Sequence, residues 1–179
     1  MKRISTLSLL IAVSLATTAG PVVELPDLGG VFAAEIVSYH DLYDAVVSSP
    51  KLSVFGPPPD QFTSYSQDVA VIGTHQDSRA HLTLLMEDEF CSGDGDDIRI
   101  YSLTDAWGVR WPVGERCRYF HVDVSSDGED WMYGLMIRET QESLFVFIDL
   151  PDDLTGLKYV RIRPRKGWIG VIAVQALHK

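Results

Sequence analysis

The sequence predicts an antiparallel β-sandwich, and three observations carry that reading. First, in Tyr119 to Val124 the apolar Phe120, Val122 and Val124 alternate with Tyr119, His121 and Asp123, the period of a strand with one buried face. Second, the strand is stopped by Ser125-Ser126-Asp127-Gly128, where Asp tolerates turn conformations and Gly supplies a positive φ. Third, similar short strands recur along the chain between turn signals, with no long helical pattern among them. Trp131 is expected to re-enter the apolar interior on the return strand.

In chain order, residues 1–19 come first. Lys2 and Arg3 form a basic head, Ile4 to Ala16 is apolar with small residues mixed in, and Thr17-Thr18-Ala19 offers a cleavage site. This is the pattern of a secretory signal peptide; a spanning helix wants about 20 apolar residues. No other segment is long and apolar enough to span a bilayer, so the mature chain is expected to be secreted, periplasmic or held at the cell surface. Residues 20–34, bounded by Gly20-Pro21 and Gly29-Gly30, read as a linker or extended arm, although Val31 to Tyr39 has the pattern of a first strand. The sandwich domain is expected over 35–179. His40 to Val47 suits a helical turn or a loop.

Three prolines make Gly56 to Asp60 a rigid loop, because each removes a backbone donor. Val69 to Gly73 is a short apolar strand, and Arg79 to Met86 alternates with Ala80, Leu82, Leu84 and Met86 on one face. The acidic loop Cys91 to Asp97 leads into the strand Ile98 to Tyr101. Trp107 to Arg116, with Gly108, Pro112 and Gly114, reads as a loop or distorted edge. Leu144 to Ile148 is apolar throughout and is expected to be a central strand. Leu157 to Arg163 and Trp168 to Leu177 complete the domain.

The chain has 179 residues, 46% of them hydrophobic, and a net charge of −10. Removal of residues 1–19 takes away Lys2 and Arg3 and no acidic residue, leaving 13 basic against 25 acidic residues and a net charge of −12. Such a surface repels phosphate backbones and anionic lipid, which argues against nucleic acid and anionic membranes as partners. Two cysteines, Cys91 and Cys117, in an exported chain point to one intramolecular disulfide.

Several runs together resemble a known family. Val124-Ser-Ser-Asp-Gly-Glu-Asp-Trp131, Ile148-Asp-Leu-Pro151 and Leu157-Lys-Tyr-Val-Arg-Ile-Arg163 are similar to the discoidin-like, galactose-binding-like jelly rolls. Phe55 to Asp60, His81 to Leu84 and Gly93 to Tyr101 resemble loops and strands of exported bacterial surface proteins with that fold. The resemblance covers about 35 to 177 in consistent order. It implies a jelly-roll sandwich, a fold that hosts sugar binding, lipid binding, adhesion and enzyme accessory roles, so the fold alone assigns no function. The chain departs from the group at Ile169 to Val174, where Gly170 and Ile172 replace the acidic residues that the group often carries.

Candidate sites follow from residue chemistry. Asp94, Asp96 and Asp97 around Gly93 and Gly95 suit a hard cation such as calcium, the only cofactor the sequence suggests, although the spacing is not that of an EF-hand. The alternative is a solvated turn in which Asp97 caps backbone donors. Trp107, Trp111 and Trp168 are stock for a sugar platform, with Arg110 beside the first two; the alternative is that they fill the core. Arg161 and Arg163 share one strand face and could clamp a carboxylate, or pair with carboxylates of the chain itself. Trp107, Trp111 and Arg110 are expected to form one site bordered by Asp94 and Asp96.

No nucleophile elbow, His-Glu-x-x-His run or phosphate loop occurs, so no catalytic residue is assigned and the chain is not read as an enzyme. The expectation is non-catalytic recognition of a carbohydrate or glycoconjugate. A surface module whose partner is another protein, and an enzyme or enzyme accessory domain, are the alternatives.

Overall fold

The computed structural model describes residues 29–40, 56–58, 69–74, 80–102, 119–132, 136–138, 145–165 and 167–179. Every regular element among them is a strand: β1 (Val31–His40), β2 (Ala70–Thr74), β3 (His81–Phe90), β4 (Ile98–Ser102), β5 (Tyr119–Ser125), β6 (Met136–Arg138), β7 (Phe145–Ile148), β8 (Leu157–Pro164) and β9 (Gly167–Ala176). All pairings are antiparallel. The two layers of the sandwich are β6-β5-β8-β3-β1 and a sheet in which β9 is flanked by β4 and β7 on one edge and by β2 on the other. Among the described strands, consecutive strands cross between layers at every step except β5–β6, which is the wrapping of a jelly roll.

Strand β1 joins the layers. Its first residues, Val31 and Phe32, pair with Ala176 and Gln175 of β9, whereas Ala33 to His40 pair along β3. Irregularities after Ala33 and after Ile36 turn the strand from one sheet to the other, as bulges do. The strand thus begins inside the stretch that sequence composition assigns to a linker. Val31 and Ala33 are buried, and that burial outweighs the flanking glycines.

Between the layers lies an apolar core. Phe120, Val122 and Val124 from β5 meet Val160 and Ile162 from β8, Leu82, Leu84 and Met86 from β3, and Ile98, Ile100, Ile169, Val171 and Val174 from the other sheet. The period-2 alternation of β5 and β8 therefore delivers the expected faces. Strand β7 departs from expectation. Among the described strands it pairs with β4 alone and ends the strand order, and Phe147 is exposed. Its apolar run has a different cause: Phe145 and Phe147 pack edge to face at 5.0 Å and lie 5.0 and 5.1 Å from the guanidinium of Arg99. Arg99 is fully buried, and its Nη1 donates to the Tyr101 hydroxyl at 2.7 Å. Tyr101 donates in turn to Gln175 at 3.1 Å, and Gln175 donates to the Gly29 carbonyl. A polar chain thus runs across β4 and β9 to the residue pair that precedes β1.

The turn after β5 forms as its residues predict. Ser125 Oγ accepts the N–H of Gly128 at 2.9 Å, and Asp127 Oδ1 accepts the N–H groups of Glu129 and Asp130, each at 2.9 Å. Gly128 takes φ +81°, with the Tyr159 ring against it, so a Cβ there would meet both backbone strain and an aromatic ring. The bonds from Glu129, Asp130 and the Ser125 hydroxyl, in that order, hold the Asp127 carboxyl below the usual aspartate range. A depressed folded-state pKa contributes stability above the unfolded value, and that contribution is lost as pH falls through the folded value. Asp127→Ala is therefore expected to lower stability at about pH 7 and to converge on the parent at about pH 2, measured by urea unfolding at both.

Candidate functional site

The outward face of the five-stranded sheet gathers the polar side chains that alternate with the core. From β5 come His121 and Asp123, and from β8 come Tyr159, Arg161 and Arg163. In register, Asp123 stands opposite Arg161, His121 opposite Arg163, and Ser125 opposite Tyr159. On the other side of β8, Thr83 of β3 stands opposite Arg161, and Ser38 of β1 lies beyond Thr83. The floor of this face is polar yet buried: Asp123 and Ser125 are inaccessible and Thr83 nearly so.

Asp123 is the centre of the arrangement. Its Oδ2 accepts Arg161 Nε at 2.9 Å and Arg163 Nε at 2.6 Å, while Oδ1 accepts Arg163 Nη2 at 2.8 Å. A buried carboxylate is tolerated only when charge and hydrogen bonds compensate it, and the two guanidiniums do both. Arg163 grips in the bidentate manner; Arg161 gives Nε alone. The guanidinium carbon of Arg161 sits 4.0 Å from the centroid of Trp131, a cation–π stack. The side chains of Arg161 and Arg163 remain 24% and 28% exposed, enough for a ligand to reach them.

Trp131 overturns an expectation. It is half-buried and lies outside the core: the chain leaves β5 through the Asp127 turn, and Met132, which follows Trp131, makes an isolated bridge to Val124. The ring consequently lies on the surface under Arg161. Beside this face, Ser38 Oγ and His81 Nε2 are 3.1 Å apart, and the rings of His40 and His81 stack at 6.1 Å.

The acidic loop sits at the end of the sandwich where β3 stops and β4 starts. Asp97 is fully buried: Oδ1 accepts the N–H of Gly93 and Oδ2 that of Leu150, each at 2.6 Å. Its own N–H donates to Ile148, and its carbonyl accepts from Leu177. It thus fastens the loop to the ends of β7 and β9, the capping role that sequence reasoning offers as the alternative to calcium. His178 lies 3.7 Å from Asp97 Oδ1 and against Gly93, where a Cβ would approach the ring to 2.8 Å. Asp94 and Asp96 are exposed. Among the described residues, no group of three His, Cys, Asp or Glu side chains is placed to hold a metal ion.

Trp107, Arg110 and Trp111 lie outside the described residues. Their flanks, Ser102 and Tyr119, end β4 and begin β5 at the opposite end of the sandwich from Asp94 and Asp96. Trp168 belongs to β9 of the other sheet, its backbone opposite Gly73, and its side chain is also outside the described residues. The structure therefore joins Arg161 and Arg163 to Asp123 and Trp131, partners that sequence reasoning did not assign to a site.

The register also bears on the expected Cys91–Cys117 bond. Cys91 follows Phe90, which pairs with Leu157 at the start of β8, whereas the Tyr119 carbonyl accepts the N–H of Arg165 beyond its end. Eight residues of strand separate those points, roughly 26 Å at about 3.3 Å per residue. Cys117 lies outside the described residues, two positions before Tyr119, a reach of about 7 Å. A disulfide needs Cα atoms within about 7 Å of each other. Cys91 is half-buried with a free thiol, in agreement. Thiol labelling of the unreduced, denatured protein is expected to modify Cys91; a Cys91–Cys117 cross-linked peptide would contradict the register.

No family model matches the chain, and no curated protein matches it. Among solved structures, the module CpGH89CBM32-6 produced by Clostridium perfringens matches with a TM-score of 0.46 and 14% identity, over 81% of this chain and 91% of the module. A pectin-binding carbohydrate-binding module matches with a TM-score of 0.34 and 16% identity, over 62% of this chain and 90% of that one. Neither likeness bears on the ligand.

Truncation should separate the centre of the cluster from its edge. Asp123→Ala leaves two guanidiniums without their shared carboxylate and is expected to cost about 3 kcal/mol, the low end for a broken buried pair because both arginines touch water. Arg161→Gln leaves both Arg163 bonds in place and is expected to cost less than about 1.5 kcal/mol. Urea unfolding of the two variants checks the order.

Proposed function

We propose that this chain is an exported, non-catalytic module that binds carbohydrate on the outward face of the five-stranded sheet. The observation that carries the reading is the half-buried Trp131 ring stacked with Arg161, beside the buried Asp123 that holds Arg161 and Arg163 in place. Sugar sites combine an apolar ring face with a few fixed polar groups; here the ring comes from the turn that leaves β5 and the polar groups from β5 and β8. Arg161 and Arg163 need no reorganisation to bind, because Asp123 already holds them; preorganisation of this kind lowers the cost of association.

The segment carrying Trp107, Arg110 and Trp111 rejoins the sheet at Tyr119, beside Arg165. Those side chains are proposed to extend the same surface from that end, with Trp168 a further candidate. Export rests on the basic head and apolar run of residues 1–19.

A protein partner is the second reading, and it also has an observation in its favour. Tyr119, Met132 and Met136 are exposed along β5, its outgoing turn and the edge strand β6, where an apolar contact could form. Glycan-array binding by the parent protein and by Trp131→Ala distinguishes the two. The parent is expected to bind, and the variant to lose binding while keeping a cooperative unfolding transition. Glycan binding undiminished in the variant would place the sugar elsewhere, and no glycan binding by the folded parent would favour the protein partner.

A further inference from the structure

We infer that the sugar this face selects is an acidic one, bearing a single carboxylate that Arg161 and Arg163 receive. The inference rests on the carbohydrate reading above and narrows it.

The charge balance of the cluster points that way. Among the described residues, two guanidiniums share one carboxylate, which gives the cluster a surplus positive charge in a chain whose net charge is −10. The donors are also unevenly spent. A guanidinium has five N–H groups. Arg161 gives Asp123 only Nε, and Arg163 gives Nε and Nη2. The terminal nitrogens of Arg161 and Nη1 of Arg163 are left for other acceptors on partly exposed side chains. A planar pair of carboxylate oxygens is the acceptor that fits a guanidinium fork and cancels the surplus charge. A neutral hydroxyl meets the first need and not the second.

The surroundings limit the ligand further. Trp131 stacks on Arg161, and Tyr159 stands two positions before it on the same face of β8, so the carboxylate comes attached to a body that can lie against rings. The turn next to Trp131 carries Asp127, Glu129 and Asp130, all exposed. Together with the acidic surface at large they disfavour a polyanion, whose further charges would meet carboxylates on leaving the arginines. A hexuronic acid at the end of an otherwise neutral oligosaccharide satisfies all of these conditions.

The test is calorimetry with matched oligosaccharide pairs that differ only in ending in a hexuronic acid or in the corresponding neutral hexose. The acid-terminated member is expected to bind at least about tenfold more tightly, with that preference shrinking as salt is raised. Arg161→Gln is expected to abolish the preference, bringing the affinities of the two members of each pair within about twofold of one another. Arg161→Lys, which keeps the charge and loses the fork, serves if the Gln variant does not fold, and is expected to retain part of the preference. Equal binding of both members by the parent overturns the acidic selection and leaves the carbohydrate reading standing. Acid preference unchanged in the Arg161 variants overturns the assignment to this cluster. Binding of neither member by the folded parent overturns both readings.

Discussion

The register of β8 between β5 and β3 is the constraint on which this molecule depends. Side chains on a strand alternate, so a slip of one residue would turn Val160 and Ile162 to solvent and drive Arg161 and Arg163 into the core. Apolar burial alone fixes which face points inward, but it leaves slips of two residues less strongly penalised. The fully buried Asp123 removes that freedom. It needs a guanidinium directly across the strand pair, and Arg161 and Arg163 satisfy it in the observed alignment. The same three residues therefore align the sheet and supply its most chemically distinctive surface.

Much of the fold was legible in the residues. Alternation along Tyr119 to Val124 and Leu157 to Arg163 placed the core faces, and Ser125 to Gly128 announced its turn through side chains that bond locally. Signals of that kind lie within a few residues of one another. What failed depended on pairing across the chain. Leu144 to Ile148 looked central because the run is too apolar to be solvated on one side, yet Phe145 and Phe147 lie against the buried Arg99 from an outer strand. No local pattern reveals an arginine that will be buried among aromatic rings.

The candidate site was half legible for the same reason. Arg161 and Arg163 were identifiable as a basic pair on one strand face, and His121 and Asp123 as the polar face of another. That the faces meet was not visible, since 38 residues separate Asp123 from Arg161. Trp131 was assigned inward from its size and position after a turn. The turn instead delivered it to the surface, where an arginine covers part of the ring. In the acidic loop, sequence composition favoured no single role for the carboxylates. Geometry divided them, with Asp97 buried against backbone donors and Asp94 and Asp96 left in solvent.

Strand β1 has a consequence for the order in which the molecule can assemble. Its first two residues pair with β9, so Val31 meets Ala176 across nearly the whole length of the described chain. The hairpin-like contacts of β5 with β6 close short loops and cost little chain entropy, whereas this pairing closes one of the longest loops available. During synthesis the N-terminal strand can settle on β3 early, but its docking on the second sheet must wait until the last strand has emerged. Until then the edges of β1 and β9 are both unpaired at that seam. That pairing joins the two ends of the described domain, and until it forms the open edges are available to a wrong partner.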